Sequence, residues 1–290
     1  MRISINVTNY DGADLREIAR AAGEAGVDTL WVTDHLIQAD PHASPHGAMH
    51  EAYTTLGYLA AVSERVRLGA MVSPVTFREP ALLVKAVTTL DVLSGGRAWL
   101  GIGAGYQQDE AAALGLSLPP ATDRFERLDE TLRIALAMWA GDQQPIHGAH
   151  YRLAHPACYP PPATRPHPPI LIGGAGEKHT LRLVAQYGDA CNLFDIPDGG
   201  RTVRHKLDVL ARHCERTGRP YADVEKTIST RLDPAAGPGG FTDQCSRLAA
   251  LGIGHAVVIT NAPWTPAKIA MLTGAMRRLT PGGPGPAAAG

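Results

Sequence analysis

The chain is poor in several things that specialised chemistry needs. It has four cysteines, Cys158, Cys191, Cys214 and Cys245. None forms a C-x-x-C pair, so neither a zinc knuckle nor a thioredoxin-like site is indicated. Charge of one sign is lacking: 27 basic and 28 acidic residues leave a net charge of −1. No global field therefore recruits nucleic acid or an anionic membrane. No apolar run reaches the roughly 18 residues that span a bilayer. The segment Met1–Val7 is too short and polar for a secretory signal. These absences point to a soluble, cytoplasmic protein with reduced thiols. Two nucleotide fingerprints are also missing. There is no G-x-G-x-x-G after a strand and no G-K-[ST] ending, which counts against a Rossmann site and against triphosphate hydrolysis.

What is present is an alternation. Short β-branched runs alternate with longer amphipathic stretches, the pattern of parallel strands joined by helical crossovers. Eight strands are expected at Arg2–Val7, Thr29–Thr33, Val66–Met71, Arg97–Ile102, Pro169–Ile172, Ala190–Phe194, Glu225–Thr230 and His255–Thr260. Helices are expected at Asp14–Glu24, Glu51–Ser63, Ala81–Leu93, Arg124–Trp139, Lys178–Gln186, Val203–Arg216, Phe241–Ala250 and Pro266–Leu279. Eight strands, each followed by a helix, predict an α/β fold of the (β/α)8 TIM-barrel type over residues 1–280. An open doubly wound sheet is the competing architecture. Long connections follow the second strand (Ile37–His50) and the fourth helix (Gly141–Pro168). Loops of that length tend to carry function, and both are expected to line a substrate pocket. The tail Pro281–Gly290 cannot bury apolar surface and is expected to be disordered.

Barrel enzymes work at the carboxyl ends of their strands. The second strand ends in Asp34-His35, and a histidine there can move protons near neutrality. Alternatively, Asp34 caps the next segment and His35 packs under the loop. The third strand ends around Gly69, Met71, Val72 and Pro74; a glycine here can mark a bulge or a close approach to a ligand, but ordinary strand termination by proline is the favoured reading of this segment. The fourth runs into Gly101, Gly103 and Gly105, whose spacing would let a planar ring approach bare backbone. The fifth runs into Gly173-Gly174-Ala175-Gly176, a turn opening directly into a helix, where free amides can bind phosphate. Asp109-Glu110 could be a carboxylate pair for metal or acid/base work, but it sits in a helical stretch beyond the strand end and reads rather as a solvated face. His42, His46 and His50 are spaced by four, but Pro41, Pro45 and Gly47 argue against a helix, so no metal is assigned. The positions of Lys178, Arg78 and Arg201 are left open.

Taken together, the segments WVTDHL, LGAMVSPVTFREPALLVKAVTTLDVLSGGRAWLGIGAGY and ILIGGAGEKHTLRLVAQYGDACNLF resemble the luciferase-like monooxygenase superfamily, and most of all its F420-dependent oxidoreductase branch. The resemblance spans residues 2–280. It implies hydride transfer at a deazaflavin to or from a small-molecule substrate, with FMN-dependent monooxygenation or non-catalytic flavin binding as alternatives. It implies His35 as the catalytic residue, with Asp34 and His35 near the cofactor. It places Met71 and Val72, where relatives carry a non-prolyl cis peptide, behind the ring. Ala104, Gly105 and Tyr106 would lie beside the ring, and Gly173, Gly174, Ala175 and Gly176 around the cofactor phosphate. Some sugar-phosphate-oxidising relatives carry a glutamate proton donor where Tyr106 stands. The resemblance also implies a homodimer, and neither nucleic acid nor a membrane as partner.

Overall fold

A computed structural model describes residues 1–7, 14–38, 44, 46–261 and 263–279. The predicted terminal tail and part of the Ile37–His50 loop, His42 included, lie outside the described residues. Eight parallel strands close into a barrel: β1 (Arg2–Asn6), β2 (Thr29–Val32), β3 (Arg67–Ala70), β4 (Ala98–Gly103), β5 (Ile170–Gly173), β6 (Ala190–Phe194), β7 (Glu225–Arg231) and β8 (His255–Ile259). Each pairs in parallel with its sequence neighbour, and β1 pairs with β8 through Ile3↔Ala256 and Ser4↔Val257. That last ladder abolishes a sheet edge and rules out the open alternative. Nearly every strand residue is buried, as expected when helices cover the outer face.

The helices are α1 (Leu15–Ala25), α2 (Ala52–Val62), α3 (Pro80–Ser94), α4 (Gln108–Leu114), α5 (Ala121–Ala140), α6 (Thr180–Tyr187), α7 (Arg201–Thr217), α8 (Gly237–Ala250) and α9 (Pro266–Leu279). Helix α8 starts earlier than its apolar pattern suggests, because Pro238 suits a first helical turn. Helix α6 starts later than expected, since residues 177–179 form a turn first. The connection after α5 holds a short hairpin, Ile146–His147 against Arg152–Leu153. It is fastened by Glu130, whose carboxylate accepts from the amides of Ala149, His150 and Tyr151.

Inside the barrel, Trp31 and Trp99 pack at 5.7 Å between ring centroids, with Leu171, Ala190 and Val257 around them. Gly69 exists for this packing. A Cβ there would lie 2.6 Å from the Trp31 ring and 2.8 Å from Trp99 Cβ. Of the readings open for Gly69, the structure shows a close core contact.

At the amino end of the barrel, buried His255 lies 2.5 Å from Ser4 Oγ, and its Nδ1 lies 2.6 Å from Glu225 Oε1. Arg67 donates to Asp28, and Arg2 pairs with Glu225 at 2.5 Å. Burial opposes charge on Asp28 and Glu225. His255 and the arginines outweigh it and hold both carboxyls below their ordinary range.

Candidate active site at the carboxyl end of the barrel

All eight strands contribute to one cavity of about 510 Å³ at their carboxyl ends. Its wall runs from Asn6 after β1 through His35, Val72 and Gly103 to Asn192, Ser229 and Ile259. The volume lies within the range usual for small-molecule sites.

The floor is built around Val72. β3 breaks after Ala70, passes through a cis Met71–Val72 peptide, and rejoins β4 at Ser73↔Ile102. Val72 wedges between two glycines: a Cβ on Gly103 would lie 2.9 Å from Val72 Cγ2, and one on Gly173 2.8 Å from Val72. A Cβ on Gly101 would lie 1.8 Å from the Ala70 carbonyl oxygen. The alternating glycines of β4 thus receive the third strand first. The sequence suggested a ring lying on this backbone. In the structure, Gly101 is closed off by Ala70, whereas Gly103, Ala104, Gly105 and Tyr106 do face the cavity.

His35 lies on the wall with its side chain 14% exposed. Its Nδ1 lies 2.7 Å from Glu110 Oε2. The other carboxylate oxygen accepts from the amides of Leu36 at 2.5 Å and Ile37 at 3.2 Å. A carboxylate filled this way is an acceptor, so Nδ1 carries the proton and Nε2 keeps its lone pair for a ligand. The Tyr106 ring meets His35 edge-on, 6.0 Å between centroids. This corrects the expectation for Glu110. Asp109 is exposed, but Glu110 is only 1% exposed and points into the site. Its neighbour Ala111 on the short α4 is buried as well.

Asp34, expected near the cofactor, is not among the residues lining the cavity. Its side chain is fully buried and takes two bonds from Arg78, at 2.6 and 3.2 Å. Arg78 also donates to Glu51 at 2.5 Å and stacks over Tyr53 at 4.8 Å. The Tyr53 hydroxyl lies 3.1 Å from Ser73 Oγ, directly after the Val72 bulge. Asp34 therefore braces the third-strand turn from behind. Burial opposes the Arg78 charge, but the Asp34 carboxylate raises its pKa above the ordinary arginine value. Burial, with Asp34 alongside, likewise raises the Tyr53 phenol.

The Gly173–Gly176 turn lines the cavity opposite His35. Gly174 has φ +112°, which disfavours a side chain. A Cβ on Gly176 would lie 3.0 Å from Thr180 Oγ1. The amides of Gly174, Ala175 and Gly176 find no backbone acceptor among the described residues. Directly beyond lies the start of α6, with His179 stacked on Phe125 at 4.8 Å. Such a bare turn at a helix start fits a phosphate group. Lys178 is exposed beside it, whereas Arg201 donates to the Asp198 carbonyl.

Of the two long connections, only one reaches the site. Gln38 and Met49 line the cavity; no residue of 141–168 does. That second connection instead packs against α3, where Thr164 donates to Asp91. Phe194, Asn192, Ser229 and Arg231 join the wall without having been singled out in the sequence. They sit on β6 and β7, whose ends carry no glycine punctuation. No group of residues suited to hold a metal ion occurs among the described residues, and no helix among them is long and apolar enough to cross a membrane.

Comparison with known proteins places this geometry. The family model described as luciferase-like monooxygenase matches residues 4–236. An F420-dependent glucose-6-phosphate dehydrogenase of Kineococcus radiotolerans is 31% identical over 227 residues, 76% of this chain and 65% of that protein. The chain thus spans just under two thirds of that relative. Among solved structures, an F420-dependent secondary alcohol dehydrogenase with an F420-acetone adduct superposes with TM-score 0.80 at 17% identity, covering 94% of this chain and 98% of the other. A coenzyme F420-dependent tetrahydromethanopterin reductase of Methanopyrus kandleri gives 0.77 at 12% identity, covering 94% and 98%. At those identities the likeness shows a shared fold.

Proposed function

The chain belongs to the luciferase-like monooxygenase family, and on that premise we propose that it is an oxidoreductase moving a hydride between coenzyme F420 and a small organic substrate. The observation that carries the reading is the pairing, across one cavity, of a glycine turn with free amides and a histidine whose Nε2 is unengaged. The names of the relatives support F420 over other flavins.

The amides of Gly174, Ala175 and Gly176 would hold the cofactor phosphate. Val72, Gly103 and Ala104 would support its ring from below. Bound F420 supplies a ring carbon that exchanges hydride and reacts poorly with oxygen. In the oxidative direction, a substrate carbinol would lose its C–H hydrogen with the electron pair to the cofactor, and its hydroxyl proton would pass to His35 Nε2, leaving a carbonyl. In the reductive direction His35 returns the proton. Glu110 holds the imidazole in the required tautomer and faces the positive charge when His35 takes the second proton. Tyr106, standing where a carboxylate acts in some relatives, makes His35 with Glu110 the proton-handling pair. The reading includes a cytoplasmic homodimer, supported by exposed Tyr58 on α2 and Leu82 and Leu93 on α3.

The test is a titration of the purified protein with F420 and, separately, with FMN, followed by quenching of Trp31 and Trp99 fluorescence. Saturable F420 binding on the order of micromolar is expected. Micromolar FMN binding with none for F420 would refute the proposal and favour a two-component monooxygenase.

A further inference from the structure

We infer that the chamber above His35 accepts an uncharged, largely apolar alcohol or carbonyl compound and rejects a phosphorylated sugar. The inference rests on the hydride-transfer reading and concerns the other ligand of the same cavity.

Three observations converge. The first is charge. Arg231 is the only Lys or Arg among the described residues that line the cavity, and its guanidinium is tied to the side chain of Asn261. The carboxylate of Glu110 faces the same space. A phosphate monoester brings close to two negative charges and needs several charge-assisted donors when taken from water. The free amides of the Gly173–Gly176 turn form one anion cradle, and the cofactor uses it in the reading above. Among the described residues, no second cradle is built for a substrate phosphate.

The second observation is the mouth. Tyr106 is 71% exposed, Phe194 54% and Ile196 43%. Phe77, Leu118 and Phe125 continue this surface down the wall. Large apolar side chains left in water around a concavity mark the place where an apolar partner covers them. The third observation concerns the polar wall at the ends of β1, β2, β6 and β7, where Asn6 donates to Thr33 at 3.2 Å and Asn192 to Ser229 at 2.9 Å, while Thr76 Oγ1 on the same wall has no hydrogen-bond partner among the described residues. A polyol would have to compete with those two pairs for their donors and acceptors. One hydroxyl can donate to His35 Nε2, and a carbonyl oxygen can accept from His35 when that nitrogen is protonated.

The experiment uses the full chain saturated with F420, its binding first established by titration. Cyclohexanone and glucose 6-phosphate are then compared as probes by calorimetry, and cyclohexanol and glucose 6-phosphate by F420 reduction. Cyclohexanone is expected to bind at least about tenfold more tightly than glucose 6-phosphate, and cyclohexanol to be the better reductant. Phe194→Arg, an exposed substitution, should narrow or reverse that preference in protein whose F420 saturation has been checked by titration. Equal or tighter binding of glucose 6-phosphate overturns the inference. So does an absence of cyclohexanone binding, or a preference untouched by Phe194→Arg. Failure of F420 itself to bind would instead overturn the cofactor reading, and this inference with it.

Discussion

Replacing Glu110 with glutamine keeps its shape and changes one atom, and the consequence can be worked from the contacts. Glu110 offers one oxygen to His35 Nδ1 and the other to the amides of Leu36 and Ile37. Glutamine has a single acceptor oxygen. If that oxygen faces His35, the new NH2 group confronts two backbone N–H donors. Each buried donor left unsatisfied costs about 1–3 kcal/mol. If the oxygen faces the backbone, both amides stay satisfied and the NH2 points at Nδ1. The second arrangement wins, because it leaves neither backbone donor unsatisfied. It forces Nδ1 to accept, so the ring proton moves to Nε2, and the lone pair aimed at the cavity disappears. Glu110→Gln should therefore fold normally and bind F420 within about twofold of the parent. Turnover should fall by roughly 10²–10⁴, the scale of a misplaced general base. Long-range 1H–15N correlation spectra of the His35 ring should show Nδ1–H in the parent and Nε2–H in the variant. A parent already in the Nε2–H form, or a variant turning over at the parental rate, would refute this account.

Two further outcomes test the framework around the site. Arg78→Met removes the partner of the buried Asp34 carboxylate and should cost about 3–5 kcal/mol, lowering Tm by roughly 6–20 °C. A melting temperature within about 2 °C of the parent, with F420 affinity lost instead, would return Asp34 to the cofactor site. At the other end of the barrel, Asp28 and Glu225 have lowered pKa values in the folded state. Their stabilisation is complete above the unfolded carboxylate value of about 4 and is lost as pH falls through the lower folded values. Arg67→Met should flatten that acid-side loss in thermal melts, because Asp28 loses a charged neighbour; identical slopes for parent and variant would count against the assignment.

The barrel was legible because its cause is local and repetitive. Apolar runs of strand length alternate with helical periodicity eight times, and only a few closed arrangements satisfy that pattern. The Gly173–Gly176 turn and the Asp34-His35 pair were legible for a similar reason, since unusual residues cluster at strand ends. What that clustering meant was less secure. Gly101 looked like room for a ring and is room for the Ala70 carbonyl, while Gly69 is room for Trp31 and Trp99. A missing side chain records that something comes close, but not what does.

The sequence alone determined the order of elements, the end of the barrel where chemistry could sit, and His35 as a residue able to move a proton there. Tertiary structure decided which acid serves it. Glu110 lies 75 positions from His35 along the chain. Its burial arises only when α4 folds back over the mouth. It also turned Asp34 inward to Arg78 and sent the 141–168 connection away from the cavity. Periodicity reports which face of an element is buried. It carries no information about which distant group meets that face, because the meeting is fixed by closure of the barrel.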